Sequence, residues 1–385
     1  MPRGYSPNNN IYPLKTLAKL PMVSLDFPQS LRPPVMGTRF MSSTGHYLAT
    51  HAAVDVMSRG GNAVDAGVAA GLVINVVEAD MTSFGGVAPI MVYDADANDV
   101  KTVSGLGYWP QRATAELLRT KFGGQMPLGI IRSVVPAAPD AWLTAIKEFG
   151  TMSFSQVAFQ VADDGFPAHR CFVENVKESV AQYELWPTSK SVFLPNNRPP
   201  KIGQRIRQPD LARTFKRLMG IEVASEGDRE SKIQKVRDEF YKGKIADEIV
   251  SFCKSQGGLL SKADVESFSV DIEDPLSTLY MDYEVLSCGP WCQGPVLLQT
   301  LNILACFDLE QREHNSAEYI HLLLEALNLS FADREAFYGD PRQVNVPIET
   351  LISKEYATLR AKEVNLRQAR SEMPASGVPL LAQKH

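Results

Sequence analysis

Residues 60–93, GGNAVDAGVAAGLVINVVEADMTSFGGVAPIMVY, constrain this chain more than any other stretch. Gly60-Gly61 ends the segment before it, as helix-terminating glycines do. Asn62 stands where a helix N-cap belongs, and Asp65 follows three residues later, facing the positive end of the helix. From Ala63 to Val77 the residues are apolar nearly all round and are mostly Ala, Gly and Val. A helix with no polar face has no solvent side, so this one is expected to be buried. Its small side chains allow neighbouring backbones to come close. Asn75 and Glu78 interrupt the run, and it is too short to span a membrane. Gly85-Gly86 then marks a turn where backbone passes close to something, and PIMVYD reads as a buried strand. Helix, glycine turn and strand make the centre of a layered α/β core.

A length of 385 residues allows two or three ordinary domains or one large layered one. With 44% hydrophobic and 22% charged residues the composition is that of a globular protein. The net charge of −5 gives no reason to expect a nucleic acid or an anionic membrane as partner. Five scattered cysteines do not form a disulfide framework. Cys288 and Cys292 are close, but without a second Cys/His pair nearby they do not suggest zinc, and neither a metal nor a cofactor is expected. Residues 1–36, rich in Pro and Asn, read as an arm lying on the surface or on a neighbouring subunit, without an export signal, which suggests a cytoplasmic protein.

In chain order, His46 to Arg59 is an amphipathic helix with His46 and His51 near its start, in surface or capping positions. Residues 100–103 form a hairpin with 89–93. Ser104-Gly105-Leu106-Gly107-Tyr108-Trp109-Pro110 cannot be regular structure. Its aromatic residues either wall a pocket or pack under the loop. The span from about 140 to 270 is mainly helical, and its charged section from Glu226 to Glu239 reads as a solvated face. Ser261 is an N-cap with Asp264 three residues on. A long helix from Ser316 to Tyr338 should bury Ala317, Ile320, Leu324, Leu327 and Phe331 along one face. Within it Asp333 and Arg334 cannot pair with each other, and His321 and Glu325 read as a surface or packing pair rather than metal ligands. A loose tail runs over 365–385.

The run Gly60-Gly61-Asn62-Ala63-Val64-Asp65-Ala66, with the glycine pair beyond it, resembles the large subunit of γ-glutamyltranspeptidases. Further landmarks occur in the order found in that family: Phe149-Gly150-Thr151, Asp164-Gly165-Phe166, and Phe240-Tyr241-Lys242-Gly243-Lys244-Ile245-Ala246. After them come Gly257 to Leu259 with Asp264, Ala332-Asp333-Arg334, and Gly339-Asp340-Pro341. The resemblance runs from about residue 38 to the end. It implies a four-layer αββα N-terminal-nucleophile hydrolase, with residues 37–385 as the large-subunit part of a single domain completed by a separate small (β) subunit. It also implies a precursor that cuts itself after His385. A threonine on the partner chain would then be the nucleophile, its own α-amino group serving as base. By the same resemblance this chain holds no complete catalytic set, and the two-chain unit could pair further as a dimer of heterodimers.

The sequence departs from that family at one informative place. Where γ-glutamyl enzymes have an arginine that pairs with the substrate's α-carboxylate, this chain has Leu106, within Ser104-Gly105-Leu106-Gly107. The glycine run at Phe84-Gly85-Gly86 is also short. Gly105, Leu106, Tyr108, Trp109, Phe84 and Gly85 are therefore the expected substrate-binding residues, lining a wall too apolar for a glutamyl group. The expectation is an amidohydrolase for a small non-γ-glutamyl amide, of oxamate or acyl-amide type. The rivals are a true γ-glutamyl hydrolase or transferase, and a catalytically dead binding or scaffold protein.

Overall fold

The computed structural model describes residues 35–158 and 161–379. The N-terminal arm is therefore almost entirely outside the described residues; its described end, 35–41, has no helix or strand. From Ser42 onward the chain forms one unit of mixed helix and strand, in line with the expected α/β class.

The centre is built as the sequence suggests. Helix Ala63–Val77 is closed by a capping box: Asn62 Oδ1 accepts from the amides of Val64 and Asp65 (3.0 and 2.9 Å), and Asp65 Oδ2 accepts from Asn62 N (2.9 Å). Helix Tyr47–Ser58 packs along it through Ala49, Ala52, Ala53 and Val56, and helix Ala138–Phe149 packs across it. The small residues matter where the last helix crosses. A Cβ on Gly71 would lie 2.5 Å from the Trp142 ring, whose Nε1 donates to buried Asn75 at 3.2 Å.

Asp65 does more than face a helix end. It is fully buried, and it also accepts from Thr151 N (3.0 Å), Thr151 Oγ1 (2.7 Å) and Met152 N (3.1 Å). A Cβ on Gly150 would lie 2.5 Å from its Oδ1, which accounts for the Phe149-Gly150-Thr151 landmark.

In chain order the strands are β1 (Ile90–Asp94), β2 (Asp99–Val103), β3 (Phe166–Pro167), β4 (Arg205–Ile206), β5 (Ile272–Glu273), β6 (Leu276–Tyr280) and β7 (Tyr283–Ser287). Among the described residues they form three small antiparallel sheets, β1-β2-β5, β3-β4 and β6-β7. The expected hairpin is β1–β2, in register from Ile90↔Val103 to Asp94↔Asp99. β1 is not the buried strand that PIMVYD suggests. It lies at the edge of its sheet, with Val92 buried but Met91 and Tyr93 exposed.

Two further expectations change in the fold. The charged section after Glu226 is not wholly solvated. Arg237 on helix Arg229–Tyr241 pairs with Asp140, which is 1% exposed, and donates to Phe268 O at 2.6 Å. Tyr241 beside it donates to Pro136 O (2.6 Å) and accepts from Asp140 N (3.1 Å), tying two helices together. Helix Ala317–Phe337 buries Leu322, Ala326, Leu329 and Asp333 against helices Gly294–Leu304 and Lys354–Ala361. The stripe expected to be buried is displaced outward, with Ile320 44% and Leu324 54% exposed. The helix is apolar on both stripes, so periodicity could not choose between them.

Candidate functional site

β2 delivers the chain into the loop from Ser104 to Pro110, and almost every residue of that loop is fixed. Ser104 N donates to Asp271 O, and Ser104 Oγ accepts from Asp271 N, each at 2.9 Å. Gly105 O accepts from Ala88 N at 2.8 Å, and Tyr108 O from Val135 N at 2.9 Å. Both glycines are required by this close approach. A Cβ would lie 2.0 Å from Ala88 O at Gly105, where φ is +47°, and 1.8 Å from Val135 O at Gly107.

The loop forms one side of a cavity of about 310 Å³. Leu106, Tyr108 and Trp109 line it from this side. Asp271 comes from just before β5 and Glu273 from β5 itself, Trp291 from the turn after β7, and Asp340, Pro341 and Arg342 from the Gly-Asp-Pro turn. Tyr108 packs edge-on against Phe268 (4.8 Å between centroids) and donates its hydroxyl to Ser269 O (2.9 Å). Its pKa is raised, mainly by burial, so the phenol keeps its proton. The Arg342 guanidinium lies 3.5 Å from the Tyr108 ring centroid, and its Nε and Nη2 donate to the two oxygens of Asp340 (2.9 and 3.0 Å). Burial works against that cation, but the bonds to Asp340 and Tyr108 outweigh it and raise its pKa. The hydrogen bond from Arg342 holds the Asp340 carboxyl below its ordinary pKa. On the far side Trp291 Nε1 donates to Glu273 Oε2 at 2.7 Å.

The six residues expected to bind substrate thus separate. Leu106, Tyr108 and Trp109 share the cavity. Gly105 serves it only through backbone geometry. Phe84 does not line it: the side chain is 4% exposed and sits in the core, edge-on to Phe215 (4.9 Å) and Phe240 (5.6 Å). A phenylalanine before a glycine turn can face either way, and here burial against two other rings wins. Gly85 borders a different, largely apolar cavity of about 580 Å³, lined among others by Ile130, Val134 and Phe252. His385 lies outside the described residues. Sequence reading missed Asp271, Glu273, Trp291 and Arg342. Trp291 lies in the glycine- and proline-containing stretch from Gly289 to Pro295, and Arg342 directly follows the Gly339-Asp340-Pro341 landmark; neither position carries a local signal of a binding role.

Chemically the cavity offers aromatic faces, a leucine, one arginine and three carboxylates. Among the described residues lining it there is no histidine, lysine or cysteine, and the Ser104 hydroxyl is taken up by Asp271 N. It can hold and orient a small molecule; it does not pair a nucleophile with a base.

Comparison with known proteins places this geometry. The chain is 33% identical over 354 residues to a glutathione hydrolase proenzyme of Bacillus subtilis, covering 89% of this chain and 57% of that protein. It therefore spans little more than half the length of that relative. The crystal structure of Helicobacter pylori γ-glutamyltranspeptidase superposes with a TM-score of 0.80 at 26% identity, covering 88% of this chain and 95% of that one. A cephalosporin acylase from Bacillus halodurans gives a TM-score of 0.78 at 28% identity, over 92% of this chain and 65% of that one. The family model for γ-glutamyltranspeptidase matches residues 49–383. With the landmark residues doing structural work in the fold these proteins share, the chain belongs to the γ-glutamyltranspeptidase family.

Proposed function

We propose that this chain is the large subunit of an autoprocessed two-chain amidohydrolase, acting on a small amide that is not γ-glutamyl. The observation that carries the reading is Leu106 in the cavity wall, beside Tyr108 and Trp109, where the family resemblance expects an arginine. A substrate carboxylate facing leucine would lose a charge-assisted hydrogen bond, on the order of 1.5–3 kcal/mol. The acylase likeness supports amide chemistry beyond glutathione, as analogy.

The reactive end belongs to a partner chain from the same precursor. An N-terminal threonine hydroxyl adds to the amide carbonyl and its α-amine takes the proton. That proton passes to the leaving amine, and water then releases the acid from the ester intermediate. This chain holds the substrate's flank, orients it and keeps water from it. Exposed apolar residues support such a partner: Leu279 on β6, Leu297 on helix Gly294–Leu304 and Leu324 are 60%, 49% and 54% exposed on elements that pack together.

Arg342 favours a second reading. It is a cation in the same cavity, and it could receive a substrate carboxylate in place of the missing arginine, which would restore γ-glutamyl specificity. The deciding experiment assays the full-length, processed enzyme on γ-glutamyl-p-nitroanilide and on simple amides, with and without a carboxylate. The first reading expects turnover of the simple amides and little of the γ-glutamyl substrate; efficient γ-glutamyl turnover sinks it. If Arg342→Ala then lowers kcat/KM for carboxylate-bearing substrates by about tenfold to a hundredfold, the second reading holds.

A further inference from the structure

The far wall of the cavity carries more negative charge than the protein itself neutralises. Its lining holds three carboxylates, Asp271, Glu273 and Asp340, and one guanidinium, Arg342. Arg342 is already committed: both oxygens of Asp340 accept from it, and its guanidinium lies over the Tyr108 ring. Lys101 on β2 pairs with Asp99 (2.8 Å) and Asp274 (2.6 Å) instead. Among the described residues, therefore, no cation pairs with Asp271 or Glu273.

Both carboxylates are held in place. They stand two residues apart and line the same cavity, as alternate residues of a strand do. Ser104 holds Asp271 through both its amide and its carbonyl, each at 2.9 Å. The Glu273 carbonyl accepts from Thr102 Oγ1 (3.2 Å), and its Oε2 accepts from Trp291 Nε1 (2.7 Å). Gly289 leaves room for that second bond, since a Cβ there would lie 2.9 Å from Trp291 Nε1. Glu273 Oε1 has no hydrogen-bond partner among the described residues. The indoles of Trp291 and Trp109 line the same cavity, and no cation among the described residues covers either ring.

We propose that, within the amidohydrolase reading on which this rests, the acyl part of the substrate carries an alkylammonium group, bound by Glu273 and Asp271 against the faces of Trp291 and Trp109. A carboxylate accepts charge-assisted hydrogen bonds from an ammonium, and an indole face attracts a cation through its quadrupole. With Leu106 as an apolar flank, the lining suits an aliphatic chain that ends in an amine. The described residues do not suit a metal ion, since no group of three His, Cys, Asp or Glu among them could hold one. A chain ending in a carboxylate would be repelled by the same two acids. Glu273 and Asp271 are thus specificity-determining residues, and the chemistry stays with the partner chain.

The test uses the full-length, processed enzyme and a series of p-nitroanilides from β-alanyl to ε-aminohexanoyl. Each is compared with the uncharged alkanoyl p-nitroanilide of equal chain length. At the best length kcat/KM should favour the amine by about tenfold or more. Asp271→Asn combined with Glu273→Gln removes both charges, keeps an acceptor for Trp291 Nε1, and should lower that ratio by about tenfold. The ratio is taken within one protein, so partial misfolding of the variant lowers both rates alike and leaves it unmoved. No preference for the amine in the wild type, or a ratio that survives the double substitution, overturns the proposal and leaves the amidohydrolase reading standing. Failure of both series beside rapid turnover of γ-glutamyl-p-nitroanilide overturns that reading and the proposal with it. The wild-type comparison needs no variant, so an unfolded substitution could not obscure the result.

Discussion

At the scale of single residues, Asp65 connects three pieces of chain with one carboxylate. It closes the cap of its own helix and receives Thr151 and Met152 from a turn 86 residues or more away. Replacing it leaves buried amide donors without partners as well as removing a cap. Asp65→Ala should therefore lower the unfolding free energy by about 3 kcal/mol, read as a shift in the urea midpoint at constant slope. A loss below about 1 kcal/mol would mean that the turn finds other acceptors. Leu106 is the contrasting residue: it lines the cavity, and the proposed specificity rests on its side chain offering no charge.

At the scale of elements, helix Tyr47–Ser58 is capped by an unusual residue. His46 Nδ1 accepts from Leu48 N at 3.2 Å, and its ring lies 5.3 Å from His169, which caps helix Arg170–Glu178 in the same way. Only the neutral imidazole can accept that bond, and protonation would place a cation at the positive end of a helix. Burial, and then the charge of His169, lowers the His46 pKa from 6.5. The unfolded chain therefore takes up the proton first as pH falls. Stability from this group is intact above about pH 6.5 and is lost as pH drops below it toward the folded pKa, by at most about 1.4 kcal/mol per pH unit. Melting points measured from pH 7.5 down to 5.5 should fall more steeply for the wild type than for His46→Asn, which caps without titrating. Parallel slopes would place the titration elsewhere.

At the scale of the whole molecule, the last described segment is strapped to the body through buried charge. Arg370 Nε and N donate to Glu325 (2.9 and 3.1 Å), which is 2% exposed. Gly377 N donates to Asp333 Oδ1 (2.7 Å), and Arg360 Nη2 donates to Ala375 O (3.1 Å). Asp333 and Arg360 are themselves a buried pair at 3.2 Å. Burial raises the Asp333 pKa, and the Gly377 amide and Arg360 act against that rise. His321 and Glu325, four apart, do not pair with each other. His321 bonds Asn365 O, and Glu325 takes Arg370, so both serve the tail. Arg370→Ala should release the tail first: amide hydrogen exchange over residues 362–379 should quicken by about tenfold or more, with the core unchanged. Unaltered protection there would show that the Asp333 and Arg360 contacts suffice.

The sequence alone determined what depends on neighbours along the chain. The buried helix after Asn62 and its cap, the β1–β2 hairpin and the Ser261 cap are local patterns, set by helical and strand periods and by turn residues. Only the tertiary structure decided which apolar stripe of helix Ala317–Phe337 is buried, that Phe84 turns into the core, that Arg342 meets Tyr108, and that Trp291 lines the same cavity. Those outcomes rest on competition between surfaces far apart in the chain, and closing such distances is governed by packing and burial, which no local pattern records.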